Sequence, residues 1–339
     1  MKTTASPSLA FALLLLGTTL GLAGTDLVLP AVPGLPEVLG GSAAMAQLVL
    51  AAFVAGGCVG LILFGELGAR ADQRSLLVGS LIAYALVSLA CALAPSLPAL
   101  VGLRFLHGLS GAAAAVFAPG MIRAMFSEAG AVRALGVMGS VESLVPALAP
   151  VAGVWLLAAF GWTSSFYMIA GLSLIVAALV RALGSSMPVP PPTRGQGSYI
   201  RLLSNGTYLR YALSQACTLG GLLIFVFGAP AMMTKALGLT LNAFIIMQVT
   251  GIAFLILASN IAGRLADMFG PERMILTGSA VSALGLIGLV LYGLRGGTDA
   301  WVITALFVPV NLGLGLRGPL LCFGFCPYLI QLSLYIYPH

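Results

Sequence analysis

Four ionisable side chains sit inside long apolar runs, where a charge is costly unless it is paired or hydrated: Asp26, Arg104, His107 and Glu142. Carboxylates and an imidazole in hydrocarbon can take up and release protons, and a guanidinium near them can bias that exchange, which makes the four the proton-coupling candidates of the chain. Asp26, in Gly24-Thr-Asp26-Leu-Val-Leu-Pro30, lies in the outer part of the first run and must be neutral, paired or within reach of water. Arg104 descends from the same outer side and is the expected partner of Asp26. His107 stands one turn beyond Arg104, where an imidazole either titrates near neutral pH or packs as a hydrogen-bonded core residue. Glu142 is either a carrier inside the membrane or a solvated glutamate at its inner mouth. Arg104, Gly108, Gly111 and Ala115 fall on one helical stripe, so small residues would let a second helix approach beside the cation.

The elements that must hold these groups follow from composition. Charged residues make up 7% of the 339-residue chain and hydrophobic residues 60%, against about 25% charged in a soluble domain. This is an integral membrane protein, and apolar runs of helix-spanning length without period-two alternation make it an all-α bundle. The expected spans are 8–29, 43–64, 75–94, 97–120, 134–157, 163–182, 208–232, 240–262, 274–294 and 299–317, with 319–338 as an eleventh. They group as a six-helix bundle over 1–182, a Pro- and Gly-rich cytoplasmic linker over 183–207 and a second bundle over 208–339. With the N-terminus inside, the inner loops collect Arg70, Arg74, Arg123, Arg133, Arg264, Arg273 and Arg317, while the outer loops hold Lys235 and Arg295. The net charge of +6 is thus a topology signal; scattered arginines without a patch do not suit nucleic acid.

A charged segment between apolar runs occurs twice. Gly65, Leu67, Arg70, Asp72 and Arg74 form the first copy; Gly263, Leu265, Asp267, Gly270 and Arg273 form the second, 198 residues on from Gly65 to Gly263. Each is expected to be a tight loop of about ten residues, turned by glycine, anchored by arginine and acting in gating. Parallel repeats of this kind place a substrate site at the interface of two halves, and doubling the offset gives about 400 residues for a complete protein. After about residue 319 the charge pattern of the first half is not repeated, so a truncation or frame shift is expected there. Gly139, Pro146, Pro150 and Gly153 share a face with Glu142 and form a candidate hinge. Gln215, Gln248, Asn260 and Asn311 either line a substrate cavity or bridge helices.

These segments resemble the major facilitator superfamily, and within it the twelve-helix drug:proton antiporter branch. The family's loop motif, Gly-x-Leu-(Ala/Ser)-Asp-Arg-x-Gly-Arg-(Arg/Lys), is matched by Gly263, Leu265, Ala266, Asp267, Gly270 and Arg273. It is matched less fully by Gly65, Leu67, Arg70 and Arg74, because Ala69 stands in the acid's place and Asp72 in the glycine's. Arg104 and Gly108 resemble the family's Arg-x-x-x-Gly motif, whose arginine is implicated in proton transfer. Ala149-Pro150 and Ala152-Gly153 stand for the Gly-Pro and Gly-Gly pairs of its antiporter motif. The resemblance implies two pseudo-repeated halves with ten or eleven of twelve helices present. It implies proton-coupled efflux of small organic compounds by alternating access, in a monomer of the bacterial inner membrane.

Other functions fit less well. A sugar or metabolite importer of the same fold and an inactive truncated transporter are the alternatives. A membrane enzyme would need clustered catalytic groups, and the chain has no Asp-Asp-x-x-Asp and only two histidines, His107 and His339. Cys58, Cys91, Cys217, Cys322 and Cys326 all lie in apolar runs and read as small hydrophobes; with no further ligand near, no metal site is expected. No cofactor is expected beyond a proton gradient, and the partners are the lipid bilayer, a small-molecule substrate and protons. Asn205-Gly-Thr207 matches a glycosylation acceptor on the inner side, where it has no meaning.

Overall fold

A computed structural model describes residues 7–183, 187 and 204–334, with backbone alone at 128–129, 132, 208 and 319–334. Inside hydrocarbon a chain must pair every backbone N–H and C=O within its own segment, so the apolar runs become helices. Ten segments are long and apolar enough to cross a membrane among the described residues. The chain divides into two compact units, residues 1–195 and 196–339, a division that falls inside the 183–207 interval.

In the first unit the helices are α1 (Pro7–Asp26), α2 (Leu35–Leu39), α3 (Ala43–Arg70), α4 (Gln73–Ala92), α5 (Leu97–Gly111), α6 (Ala113–Met125), α7 (Glu128–Phe160) and α8 (Ser164–Leu183). The second unit holds α9 (Gly206–Ala231), α10 (Leu241–Phe269), α11 (Pro271–Leu294) and α12 (Ala300–Leu334). Within unit 1, α3 packs along α5, α4 lies between α5 and α8, and α1 rests on α6, α7 and α8. Within unit 2, α12 packs against both α10 and α11. The outward faces are apolar: Ile62 is 61% exposed, Trp155 63% and Ile224 79%, which is the surface that lipid covers.

Several sequence expectations change. The first span is not one helix to residue 29. It ends at Asp26, and a 3₁₀ turn over Leu29–Gly34 follows, because Pro30 and Pro33 lack the N–H groups a helix needs. The span expected at 97–120 is two helices joined at Ala112. The charged repeats are mostly helix, not ten-residue loops: α3 runs through Gly65, Leu67 and Arg70, leaving only Ala71 and Asp72 to reverse the chain. Likewise α10 carries Gly263, Leu265 and Asp267, Arg273 lies in the first turn of α11, and Gly270 alone makes the reversal with φ +88°. Arginines at the ends of helices extended past the hydrocarbon serve as anchors without a loop. The separate eleventh span at 319–338 is also corrected, since the backbone continues in α12 to Leu334. Most of the 183–207 linker lies outside the described residues, but the Met187 carbonyl accepts a bond from Arg74 Nη2 at 2.5 Å.

A buried arginine and histidine in the first unit

The α3–α5 contact explains where the chemistry sits. A Cβ on Gly56 would stand 1.9 Å from the Phe105 carbonyl oxygen, and one on Gly108 would stand 1.9 Å from that of Phe53. Two backbones therefore touch without side chains between them, the close approach that small residues permit. Beside this seam Arg104 is completely buried. Its Nε donates to the Val49 carbonyl of α3 at 3.2 Å, and its Nη1 donates to His107 Nδ1 at 2.9 Å. A guanidinium only donates, so His107 accepts at Nδ1 and is the neutral tautomer with its proton on Nε2. The Arg104 guanidinium lies 4.2 Å from the Phe53 ring centre and 5.8 Å from that of Phe166, and aromatic faces of this kind partly repay the lost hydration.

His107 is stacked on Tyr84 of α4 with centroids 4.2 Å apart and meets the edge of Phe53 at 5.4 Å. The Tyr84 hydroxyl donates to the Leu20 carbonyl of α1 at 3.0 Å, and Ser88 of α4 donates to the Phe166 carbonyl of α8 at 2.8 Å. Gly24 of α1 lies where a Cβ would strike the Tyr84 hydroxyl and the Phe53 ring. Five helices, α1, α3, α4, α5 and α8, thus converge on one Arg–His pair. Arg104 Nη2 and His107 Nε2 are buried without a partner among the described residues.

The expected Asp26–Arg104 pair is not formed. Asp26 is half-buried at the end of α1, and the one ion pair among the described residues is Arg70–Glu66, exposed on α3. Arg104 turns its Nε and Nη1 to Val49 and His107 instead, and its remaining Nη2 is not bonded to Asp26. Glu142 is half-buried along α7. The helical stripe also departs from expectation beyond Gly108, for Gly111 packs on Tyr84 and Ala115 is exposed, the helix axis having been interrupted at Ala112.

Among the hinge residues, Pro146 and Pro150 lie inside α7, and Gly153 packs directly on the Leu27 backbone. Gly139 is exposed and has open space around it, so it admits no neighbour. Among the repeat residues, Asp72 caps α4 by accepting from Ser75 N at 2.9 Å and Ser75 Oγ at 2.7 Å, and these bonds, the side-chain one first, hold its carboxyl below the ordinary value. Asp267 is exposed near the end of α10.

In the second unit, Asn311 is buried, bonded to the Phe307 carbonyl at 3.1 Å and packed against Gly251. Gln248 is buried three residues before that glycine, and Gln215 is half-buried. Asn260 is exposed and bonded within its own helix at 2.8 Å, so it bridges nothing. A cavity of about 250 Å³ lies between Phe225, Met232, Leu289, Tyr292 and Ile303, apart from these amides.

Sequence reasoning missed Arg317. Assigned to an inner loop, it lies inside α12, fully buried, and donates to Thr218 Oγ1 and to Ser214 Oγ, the latter at 2.9 Å. The available signal was Ser214 and Thr218 at i, i+4 on α9, a hydroxyl pair on one helical face. Phe53, Tyr84 and Phe166 were missed too, since aromatic residues in apolar runs do not announce what they surround.

A multi-pass bundle with cations buried between its helices is the build of a membrane transporter. Residues 14–334 match the Major Facilitator Superfamily, and the chain belongs to that family. Similar proteins include the chloramphenicol resistance protein of Pseudomonas aeruginosa, 27% identical over 83% of this chain and 66% of the relative. The multidrug resistance protein MdtL of Klebsiella pneumoniae is 24% identical over 79% of this chain and 68% of that one. The chain therefore spans about two thirds of the length of these relatives. Among solved structures, a bacterial homologue of the human lysosomal transporter Spinster, inward-facing and occupied, aligns with TM-score 0.65 at 14% identity over 94% of this chain and 78% of that one. The D-xylose–proton symporter aligns with TM-score 0.62 at 17% identity over 92% and 81%. At these identities the structures speak for the fold alone.

Proposed function

We propose that the chain is a proton-coupled exporter of small organic compounds that works by alternating access. The observation that carries the reading is the Arg104–His107 pair. A fully buried guanidinium with no carboxylate partner among the described residues is costly in a membrane, and such groups are kept where protons or substrate are handled. The drug-resistance relatives support export, and chloramphenicol is the first compound to try. Asp26 and Glu142 are the proton carriers, and Arg104 biases them electrostatically. The gradient replaces any cofactor, the protein acts as a monomer, and the excess of arginine on one side supports an inner-membrane protein with its N-terminus in the cytoplasm. The test is proton release in everted vesicles, read with a pH-sensitive dye on adding chloramphenicol. Release is expected from the native chain and should be lost in the Asp26→Asn/Glu142→Gln double variant. Release that survives in that variant overturns the carrier assignment.

A further inference from the structure

The end of α1 is held in an unusual way. Leu27 N still donates to Ala23 O at 3.0 Å, closing the last helical turn, but the Leu27 carbonyl has no helical donor to receive. Pro30, three residues on, has no N–H, and the N–H of Ala31 is taken by Val28 O at 2.9 Å. The missing donor comes from another helix: Ser165 Oγ, at the start of α8 and 4% exposed, donates to Leu27 O at 3.1 Å. On the other side lies Gly153 of α7, where a Cβ would meet the oxygen of Leu27 at 2.5 Å, its carbonyl carbon at 3.1 Å and its Cα at 3.2 Å. Two helices therefore grip the peptide unit that joins Leu27 to Val28, and Leu27 is the residue bonded to Asp26.

We propose that Ser165 and Gly153 are positioning residues for Asp26, fixing the Leu27 peptide so that a bend of α7 is felt at the carboxylate. Gly153 follows Pro150 by one turn and Pro146 by two, and neither proline can donate to the carbonyl four residues earlier. The upper part of α7 can thus pivot at these prolines. Because Gly153 touches backbone and not a flexible side chain, a pivot displaces Leu27 instead of being absorbed. Ser165 sets the opposing limit from α8. The Asp26 carboxylate makes no hydrogen bond or ion pair with a described residue, so its position is decided by the backbone that carries it. The ionisable groups on the helices that pack on α1 include Glu66 and Arg70 of α3, Arg104 and His107 of α5, Arg123 of α6, Arg133 and Glu142 of α7 and Tyr167 and Arg181 of α8, while Tyr84 of α4 reaches α1 through its hydroxyl. Arg104 and His107 are bonded to each other, and the Tyr84 hydroxyl is bonded to Leu20 O. A bend of α7 then changes the environment of Asp26 by displacing it or by admitting water beside it.

This inference rests on Asp26 being a proton carrier, and the experiment separates the two. The full chain in liposomes is titrated by infrared spectroscopy, the Asp26 carboxyl band being the one lost in Asp26→Asn. Ser165→Ala and Gly153→Ala are expected to move the midpoint of that band by at least about half a pH unit, roughly a threefold change in proton affinity. Ser165→Thr keeps a hydroxyl and is expected to restore the native midpoint. A merely structural role would lower thermal stability and leave the midpoint unmoved. Native midpoints in both Ser165→Ala and Gly153→Ala overturn the positioning role alone. A native chain with no band sensitive to Asp26→Asn overturns the carrier reading, and the positioning role with it.

Discussion

Gly108→Ala is the most exacting probe of the seam that holds Arg104. The new Cβ would lie 1.9 Å from the Phe53 carbonyl oxygen, whereas ordinary contact begins near 3.4 Å, so α3 and α5 must part by about 1.5 Å locally. The obstacle is backbone on both sides, and no rotamer change can relieve it. Overpacking of this kind costs about 1–3 kcal/mol. The same displacement carries α5 away from Val49, and the Arg104 Nε–Val49 O bond, now 3.2 Å, passes beyond hydrogen-bonding distance. Losing a bond to a charged group adds about 1.5–3 kcal/mol. Against this stands the better helix propensity of alanine, about 1 kcal/mol. The expected net loss is about 1.5–5 kcal/mol, measured as unfolding free energy of the purified protein titrated with SDS in mixed micelles. Gly102→Ala is the control: the site lies on the same helix and has nothing within 4 Å, so it should be neutral or slightly stabilising. A Gly108→Ala protein within about 0.5 kcal/mol of native would refute the account of the seam.

Two further perturbations test the charged groups. Asp72→Asn keeps an oxygen that can cap α4 and removes only the charge, so it should cost roughly a few tenths of a kcal/mol at neutral pH. Because the Asp72 carboxyl is held below its ordinary value of 3.8, its contribution is present above that pH and lost as the pH falls below it, so native and variant stabilities should converge in acid. The group is mostly exposed and solvent screens it, so the effect is small, and a difference persisting at low pH would contradict the assignment. Thr218→Val should cost about 1–3 kcal/mol because it leaves a donor of the buried Arg317 unsatisfied. Adding Arg317→Met in that background should recover part of the loss, and a double-mutant cycle with no coupling would show that the bond is not made in the membrane.

Much of the fold was legible because its signals are local. Run lengths located ten spans to within a few residues at most ends, since hydrocarbon thickness sets helix length and backbone pairing forbids alternatives. The exceptions have local causes that were weighed too lightly: Pro30 and Pro33 end α1 early, and a glycine with positive φ reverses a chain in one residue where ten had been allowed. The site was legible as a set of residues but not as a set of bonds. Arg104 and His107 were identified by the cost of burying them, whereas the Asp26–Arg104 pair was inferred from depth alone and is not formed.

What the sequence determined by itself was therefore the membrane class, the spans and the presence of costly ionisable groups, all of which follow from composition and spacing along one dimension. The tertiary structure decided who bonds to whom. Val49 and His107 take the Nε and Nη1 of Arg104 because Gly56 and Gly108 bring two backbones into contact. Arg317 moves from an imagined loop to a buried place on Ser214 and Thr218 because α9 offers hydroxyls at its depth. Ser165 completes the Leu27 carbonyl because α8 starts beside the turn that Pro30 enforces. Each of these depends on helix rotation and closest approach, quantities fixed by the packing of several helices at once and written in no single segment.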